Sequence, residues 1–304
     1  MAEQSKYSRY ARAETRLRVG LIGNPVAHSY SPRFQQAALD ALGIPARYDL
    51  WPTSDEQLIE RVRSLCEDNC LGANVTIPHK SAVVPLLDMV DPLATRIGAV
   101  NTIVHRQGYL QGYNTDAPGL LLALYEHGLG ELQPDGHVLL KGYTAVLLGA
   151  GGAARGAAFA LVDAHISQLI IVNRHLERAQ QLAAELQQSY SGPIFSLSDP
   201  NFLIPRRSSI IINATSLGLH EYVSPLPPAI LERFGPDTFV YDMIYNPSQT
   251  QLLIQARILN FRCANGLSML LHQGALSFTL WTNLPAPLEA MRSALYDRAE
   301  NVVE

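Results

Sequence analysis

The stretch TAVLLGAGGAARGAAFALV, residues 144–162, decides the fold, because it reads as a strand, a glycine turn and a helix in succession. Its turn, GAGGAA, fits the pattern G-x-G-x-x-G/A with Gly149, Gly151 and Ala154. Glycine lets the backbone turn tightly and approach a pyrophosphate, and the N–H groups at the helix start supply the positive end of a dipole. The stretch therefore predicts a Rossmann-type unit that binds a dinucleotide, and a tight turn without a ligand is the weaker alternative.

The residues after the next predicted strand distinguish NAD from NADP. In a site for NAD, an acidic residue about 20 positions further on binds the ribose hydroxyls. Here the strand LIIV ends in Asn173 and Arg174, and Arg178 follows one helical turn later. A guanidinium suits a ribose 2′-phosphate, so the sequence favours NADP. The alternative is that Arg174 and Arg178 are solvated residues at a helix start.

The rest of the chain alternates in a way that predicts an α/β fold. A chain of 304 residues exceeds the size at which one core usually suffices, so we expect two domains. From Val19 short apolar strands alternate with helices, and the near-continuous apolar strands of the second half are typical of a covered parallel sheet. Ser31 is expected to cap one helix, and a capping box predicts that another begins at Ser54. From Leu267 onward the pattern is helical.

Composition excludes several classes of function. The 23 basic and 27 acidic side chains give a net charge of −4 without long blocks of one sign, which argues against nucleic acid or an anionic membrane as a partner. No apolar run approaches the roughly 18 residues of a membrane span. Residues 1–16 lack the hydrophobic stretch of a secretory signal and are expected to form a flexible tail.

The cysteines indicate a reducing compartment. Three cysteines are too few for a disulfide framework, so we expect a cytoplasmic protein. Cys66 and Cys70 are four residues apart, but no second pair completes a metal site. We therefore expect no metal, and we expect both residues to be buried small hydrophobes.

Candidate substrate residues lie in the first half of the chain. Ser29 and Ser31 are two apart ahead of a helix, so their hydroxyls could hold a small carboxylate, although for Ser31 alone an N-cap role is simpler. Polar residues follow the predicted strands of this half, where open α/β sheets collect ligands: Lys80, Asn101, Asn114 and Asp116. Lys80 and Asp116 could pair and move a proton, and a structural ion pair is an equally common explanation.

Nine motifs, taken in order, resemble the shikimate dehydrogenase family. They are GNPVAHSYSP, ANVTIPHK, GAVNT, NTD, GAGGAARG, NR, NAT, YDMIYNP and NGLSMLLHQGA, and they run from about Val19 to Trp281. The resemblance implies reduction of 3-dehydroshikimate to shikimate with NADPH, on the way to chorismate. It also implies a discontinuous N-terminal α/β substrate domain, at 17–118 plus 268–304, and a Rossmann-type NADP-binding domain at 119–267. The resemblance also leaves open that the protein forms a homodimer.

The same resemblance assigns roles to individual residues. Ser29 and Ser31 would hold the substrate carboxylate, and Lys80 with Asp116 would form the catalytic pair. The implied contacts to the ring and its hydroxyls are Thr76, Asn101, Tyr245 and Gln273. The implied cofactor residues are Gly149, Ala150, Gly151, Gly152 and Ala153 at the pyrophosphate, Asn173, Arg174 and Arg178 at the adenosine end, and Met243 and Gly266 near the nicotinamide.

Three departures from the family pattern keep other functions open. Gln35 stands where the family often has His, and Ala117 follows NTD where Gly is frequent. Both leave open a quinate/shikimate dehydrogenase variant that uses NAD or NADP. His175 follows Asn-Arg where Thr is usual, which slightly weakens the preference for NADP. A non-catalytic NADP-binding regulator would not need Lys80 and Asp116, and a reductase for another small carboxylate would not need the polar ring contacts.

Overall fold

The computed structural model describes residues 16–297. The predicted N-terminal tail lies outside this range except for Arg16. The described chain divides into two compact units, one formed by the chain up to Thr115 together with the chain from Leu270 onward, the other by Asp116–Met269. Both units are α/β, which confirms the predicted fold class.

The elements are numbered in chain order. The α-helices are α1 (Ser31–Ala41), α2 (Leu58–Arg63), α3 (Pro92–Ile97), α4 (Asp116–Glu126), α5 (Gly152–Asp163), α6 (Leu176–Leu186), α7 (Pro228–Leu231), α8 (Gln251–Ile258), α9 (Leu267–Thr282) and α10 (Leu288–Tyr296). The strands are β1 (Leu17–Gly23), β2 (Ala46–Pro52), β3 (Cys70–Val75), β4 (Met89–Val90), β5 (Thr102–Arg106), β6 (Tyr109–Tyr113), β7 (Glu131–Leu132), β8 (Val138–Leu139), β9 (Thr144–Leu148), β10 (Gln168–Val172), β11 (Ile194–Leu197), β12 (Ser209–Asn213), β13 (Phe239–Asp242) and β14 (Arg262–Asn265).

The first unit contains a mixed six-stranded sheet with the order β2-β1-β3-β5-β6-β4. Strand β1 pairs in parallel with β2 and β3, and β3, β5 and β6 pair antiparallel. The β5–β6 turn is formed by Gln107 and Gly108, both with positive φ, as two-residue hairpins require. Gly72 in β3 is needed for packing, because a Cβ there would lie 2.1 Å from the carbonyl oxygen of Ile103.

The last helices complete this first unit. Helix α10 packs against α1. The indole of Trp281, at the end of α9, is buried and donates a hydrogen bond of 2.9 Å to the Ile103 carbonyl oxygen in β5. Residues from the two ends of the described chain therefore share one core.

Two predicted helix starts are wrong in detail. Helix α1 begins at Ser31 itself, and the cap position falls on Tyr30 without a side-chain cap. The hydroxyl oxygen of Ser29 accepts the Ser31 N–H at 3.2 Å, which satisfies one of the N–H groups that have no partner within the helix.

Helix α2 begins at Leu58 and not at Ser54. The Ser54 N–H donates to Gln57 Oε1 at 3.1 Å, so half of the predicted capping box exists. The Ser54 hydroxyl donates to the Glu56 carboxylate at 2.5 Å, so it does not cap the helix.

The second unit is built on a parallel six-stranded sheet with the order β11-β10-β9-β12-β13-β14. Numbered from β9, this is the order 3-2-1-4-5-6 of a doubly wound sheet. The sheet order reverses at β9, so the glycine turn that follows this strand lies at the switch point where such sheets bind ligands. Strands β7 and β8 form a separate small hairpin.

Candidate active site

The glycine turn between β9 and α5 has the geometry of a phosphate cradle. Gly149 has a φ of 110°, and a Cβ there would lie 3.1 Å from Thr215 Cγ2, so backbone and packing both require glycine. At Gly151 and Gly152 a Cβ would meet nothing within 4 Å, and neither has a positive φ. The packing of the chain does not require glycine at these two positions, which leave open space beside the backbone for a bound group. Because α5 also begins without a side-chain cap, the turn fits a pyrophosphate.

The residues predicted for the adenosine end lie in the turn after β10. Asn173 donates through Nδ2 to the His175 carbonyl oxygen at 2.8 Å, which fixes the turn that leads into α6. Arg174 and Arg178 are exposed beside the N-terminus of this helix. Two cations at a helix N-terminus suit a dianionic 2′-phosphate, so these residues fit NADP. His175 is exposed and occupies the cap position without a side-chain cap bond.

Met243 and Gly266, the residues expected near the nicotinamide, lie against each other in the second unit. They follow the adjacent strands β13 and β14, and a Cβ on Gly266 would lie 2.2 Å from the Met243 carbonyl oxygen. Only glycine permits this approach. The Gly266 N–H donates to the Ile244 carbonyl oxygen at 3.2 Å, so the two loops are joined.

The buried Asp242 holds the loop that carries Met243 and Tyr245. Its Oδ1 accepts from Asn213 Nδ2 at 2.9 Å and from the Ile244 N–H at 3.1 Å, and its Oδ2 accepts from the Thr250 hydroxyl at 2.6 Å. Burial raises the pKa of Asp242, and these hydrogen bonds only partly offset that rise. Asn213 of the NAT motif and Asp242 of the YDMIYNP motif are therefore joined by a hydrogen bond, and Asp242 fixes the loop that follows it. Sequence reasoning missed this role.

In the first unit, Ser29 and Ser31 lie together at the start of α1. Ser31 is 6% exposed, and the Ser29 hydroxyl oxygen accepts its N–H. The neighbouring Tyr48 is buried, which raises the pKa of its hydroxyl, and the Ser31 hydroxyl partly offsets that rise. The two serines thus form one polar site at a helix N-terminus, as a carboxylate seat requires.

Asn101 and Gln273 converge although 172 residues separate them. Asn101 Nδ2 lies 3.4 Å from Gln273 Oε1, and both side chains are buried. Asn101 is held by Thr115, whose N–H donates to Asn101 Oδ1 at 2.7 Å and whose hydroxyl oxygen accepts from Asn101 Nδ2 at 2.9 Å. Gln273 donates to the Leu270 carbonyl oxygen at 2.8 Å. These two amides are therefore preorganised.

A buried polar cluster that sequence reasoning missed supports these amides. Its centre is Asn74, whose Oδ1 accepts from the Tyr48 hydroxyl at 2.8 Å and whose Nδ2 donates to the Asn101 carbonyl oxygen and to the Ser277 hydroxyl, each at 3.1 Å. Ser277 lies 2.8 Å from the Thr102 hydroxyl. The one signal in the sequence was Asn74, a polar residue inside an apolar strand.

The predicted catalytic residues lie on different units. Lys80 is half-buried in the first unit, and its carbonyl oxygen accepts from the Val100 N–H at 2.8 Å. Thr76, in the same loop, donates its N–H to the Ile22 carbonyl oxygen at 2.8 Å. Asp116 begins α4, and it belongs with Tyr245 to the second unit. The pairing of Lys80 with Asp116 stays a prediction.

Two of the three positions that depart from the family pattern, Gln35 and Ala117, are buried, and Asn114 near Ala117 also has a structural role. Gln35 is buried and donates to the Gly274 carbonyl oxygen at 3.0 Å, so it holds α9 next to Gln273. Ala117 is buried within α4. Asn114 donates to the Ala99 carbonyl oxygen at 3.0 Å and so fixes a loop.

The cysteines and membrane-spanning potential complete the description. Cys70 is buried as expected, whereas the expectation for Cys66 is wrong, because this residue is exposed in the short 3-10 helix Ser64–Cys66. Between residues 16 and 297, no group of three or more His, Cys, Asp or Glu side chains could hold a metal ion. Over the same range no helix combines the length and the apolar character needed to cross a membrane.

Family comparisons agree with this geometry. Residues 21–103 match the shikimate dehydrogenase substrate binding domain, residues 135–220 match the shikimate/quinate 5-dehydrogenase family, and residues 266–296 match the shikimate 5′-dehydrogenase C-terminal domain. The shikimate dehydrogenase (NADP(+)) of Moorella thermoacetica is 43% identical over 282 residues, which are 91% of this chain and 92% of that protein.

Solved structures extend the likeness to the whole fold. Shikimate 5-dehydrogenase (AroE) from Thermus thermophilus, in complex with NADP(H) and shikimate, is 38% identical with a TM-score of 0.80, covering 93% of this chain and 99% of that one. A quinate dehydrogenase from Corynebacterium glutamicum in complex with NAD is 28% identical with a TM-score of 0.79, covering 92% and 99%. Because the 43% identity to the Moorella thermoacetica protein extends over 91% of this chain, the chain belongs to the shikimate dehydrogenase (NADP(+)) family.

Proposed function

We propose that this protein is an NADP-dependent shikimate dehydrogenase that reduces 3-dehydroshikimate to shikimate with NADPH in the chorismate pathway. The observation that carries the proposal is the convergence of Asn101 and Gln273, two buried amides held in fixed orientations in the unit that also contains Lys80. Amides that are already oriented suit a ring with several hydroxyls, because little side-chain ordering is then needed when the ring binds.

The substrate residues have separate tasks in this proposal. Ser29 and Ser31 bind the carboxylate at the N-terminus of α1, and Asn101, Gln273, Thr76 and Tyr245 bind the ring and its hydroxyls. The boundaries proposed for the substrate-binding domain remain 17–118 plus 268–304.

The chemical step assigns Lys80 to the reacting oxygen. NADPH supplies a hydride to the carbonyl carbon when it is bound. The oxygen then becomes an alkoxide, and the Lys80 ammonium stabilises that charge and donates the proton. Asp116 is assigned to orient the ammonium. In the reverse direction the same amine takes the proton from the substrate hydroxyl.

The cofactor residues are assigned to the second unit. Gly149, Ala150, Gly151, Gly152 and Ala153 hold the pyrophosphate, Asn173, Arg174 and Arg178 hold the adenosine end, and Met243 and Gly266 border the nicotinamide. The cytoplasmic location, the absence of nucleic-acid partners and the homodimer stay predictions.

A quinate/shikimate dehydrogenase variant is the second candidate. It is supported by Gln35 and Ala117, which depart from the commonest family pattern. Quinate differs from shikimate by water added across the ring double bond, which places a hydroxyl on the carbon that carries the carboxylate. Gln35 lies one helical turn after Ser31. A protein of this kind would oxidise quinate at a rate comparable to that of shikimate.

The test is a matrix of substrates and cofactors. NADPH or NADH formation is followed with shikimate or quinate and with NADP⁺ or NAD⁺. We expect shikimate with NADP⁺ to give the highest kcat/KM. A higher value with quinate would favour the second candidate, and no turnover in any combination would favour a non-catalytic regulator.

Lys80→Ala tests the catalytic assignment within the same assay. Since general acid–base groups contribute about 10² to 10⁴ in rate, we expect kcat to fall at least about 100-fold, with KM for shikimate within about threefold. Lys141→Ala removes an exposed lysine and serves as the matched control. Turnover by Lys80→Ala that equals the control would refute the assignment.

A further inference from the structure

His79 precedes Lys80, and its imidazole is buried. The side chain is 1% exposed, although imidazole carries two polar nitrogens. A buried polar ring is kept only if its hydrogen bonds offset the cost of desolvation. The contacts of His79 therefore indicate what the ring does.

One ring nitrogen reaches across to another loop. His79 Nε2 lies 2.7 Å from the Thr53 carbonyl oxygen, and because a carbonyl only accepts, Nε2 must carry the proton. Thr53 is itself fixed: its N–H donates to the Gly23 carbonyl oxygen at 3.1 Å, and its hydroxyl donates to the Trp51 carbonyl oxygen at 2.8 Å. The imidazole thus ties the Lys80 loop to the ends of β1 and β2.

The other hydrogen bonds of the loop show which residue is held in place by the bond from His79 Nε2 to the Thr53 carbonyl oxygen. Val100 holds the Lys80 carbonyl oxygen on one side, and the His79 ring holds the chain immediately before Lys80 on the other. Thr76 has anchors that do not involve the imidazole, because its N–H donates to the Ile22 carbonyl oxygen in β1 and its carbonyl oxygen accepts the backbone N–H of His79 at 2.9 Å. Loss of the imidazole bond would therefore loosen Lys80 more than Thr76.

We propose that His79 is a positioning residue that fixes Lys80 at the reacting oxygen through the hydrogen bond from Nε2 to the Thr53 carbonyl. The inference rests on the proposed function, since it assigns proton transfer to Lys80. His79 does not contact the reacting atoms in this account. Small displacements of a catalytic group cost rate, so the effect belongs in kcat and not in substrate affinity.

The second ring nitrogen has a different status. Nδ1 is buried and has no hydrogen-bond partner, and the Asp55 carboxylate lies 3.5 Å away, which is too long for a hydrogen bond. Asp55 itself is largely exposed. Positioning accordingly depends on Nε2, and Asp55→Asn is expected to leave kcat within about twofold of wild type.

The experiment compares two variants of His79 with two of a matched histidine. His79→Phe removes both nitrogens, whereas His79→Gln can restore an N–H donor near the place of Nε2. His105 is another buried imidazole of the same unit, with Nδ1 2.9 Å from the Cys70 carbonyl oxygen. His105→Phe and His105→Asn make the corresponding changes away from the Lys80 loop. For each folded variant, kcat and KM are measured for shikimate with NADP⁺, and circular dichroism gives the melting temperature.

We expect His79→Phe to lower kcat about tenfold with KM for shikimate within about twofold, and His79→Gln to recover most of the loss. Both His105 variants should keep kcat within about twofold, even where the melting temperature falls. If His79→Phe does not fold, His79→Leu is used instead. The kcat of His79→Gln must then exceed the kcat of His79→Leu.

The outcomes separate the inference from the proposed function. An active wild type whose kcat is unchanged in His79→Phe would overturn the positioning role alone. Equal losses of kcat in the His79 and His105 series would also overturn it, since the effect would then be general destabilisation. A folded wild type without shikimate-dependent NADPH formation would overturn the proposed function and this inference with it.

Discussion

Asn74 shows what a single residue reveals only in three dimensions. A polar residue inside the apolar strand β3 is visible in the sequence, but its partners Tyr48, Asn101 and Ser277 are 26, 27 and 203 positions away. A single sequence does not show which residues that are far apart along the chain lie close together in space. Site residues within recognisable motifs could therefore be named in advance, and the side chains that orient them could not.

Asp242 gives a prediction about pH. Its pKa is raised in the folded protein, so below that pKa the native state binds a proton that the unfolded chain, with a pKa near 4, still releases. Wild-type stability should therefore gain, relative to Asp242→Asn, as the pH falls from 7 toward about 4. Urea-denaturation midpoints of both proteins, measured across this range, give the difference.

The direction in which the stability difference between wild type and Asp242→Asn changes with pH tests this prediction. Asn at this position keeps an acceptor for Asn213 but does not ionise, so it serves as the reference without titration. A wild-type advantage that shrinks as the pH falls would mean that the Asp242 carboxylate is stabilised in the fold and not penalised by burial.

The thiols give a second prediction at this scale. Burial raises the pKa of Cys70 to about 11 and raises that of the partly buried Cys263, whereas Cys66 is exposed. Because the thiolate is the reactive form, iodoacetamide at pH 8 should modify Cys66 first. Peptide mass spectrometry of a time course checks this order, and Cys66→Ser should lack the fast phase. Fast labelling of Cys70 would contradict its burial.

Among the elements, strong local signals allow most helices and strands to be predicted, and short strands of mixed polarity escape prediction. Helix α3 follows its sequence closely: Asp91 accepts from the N–H groups of Leu93 and Ala94, and Gly98 ends the helix with a left-handed conformation. Helix α8 was not predicted, although Thr250 caps it by accepting the Leu253 N–H. Strands β11 and β14 are short and mixed in polarity, and they were not predicted either. Their positions are set by pairing with β10 and β13 and by packing, which are tertiary contacts.

The glycine turn gives a prediction that separates binding from folding. Gly151→Ala meets no atom of the chain, so we expect an unchanged melting temperature and a Kd for NADPH at least about tenfold higher, since the added methyl occupies space needed by the pyrophosphate. Gly149→Ala should also lower the melting temperature, because positive φ costs a residue with a side chain about 1–3 kcal/mol.

Gly156→Ala provides the control on the same helix. It lies inside α5 with open space around its Cβ position, so alanine should bind NADPH as wild type does and add about 0.5–1 kcal/mol of stability. Calorimetric titration with NADPH measures all three variants. Wild-type affinity in Gly151→Ala would argue against a pyrophosphate at this turn.

At the scale of the molecule, the division into two α/β units could be predicted because 304 residues exceed the size at which one core usually suffices. The discontinuity of the first unit came from the family resemblance alone, since nothing in the residues after Leu267 says where they pack. Physical reasons appear only in the fold: Trp281 donates to Ile103, and α10 packs against α1.

Truncation tests this architecture. A chain that ends at Met269 loses most of α9 and all of α10, so the apolar residues that pack on Phe278 and Trp281 would be exposed. We expect no shikimate oxidation and a partly unfolded protein. Residues 116–269 contain the complete parallel sheet and should retain NADPH binding. Calorimetry and circular dichroism measure both, and shikimate turnover by the truncated chain would contradict the discontinuous unit.

The return of the chain to its first unit has a consequence during synthesis on the ribosome. The segment emerging first cannot acquire its final core until the last helices leave the exit tunnel, whereas the nucleotide-binding segment between them is already complete. The middle of the polypeptide should therefore become protease-resistant before its beginning, a reversal of the usual N-to-C order of domain maturation.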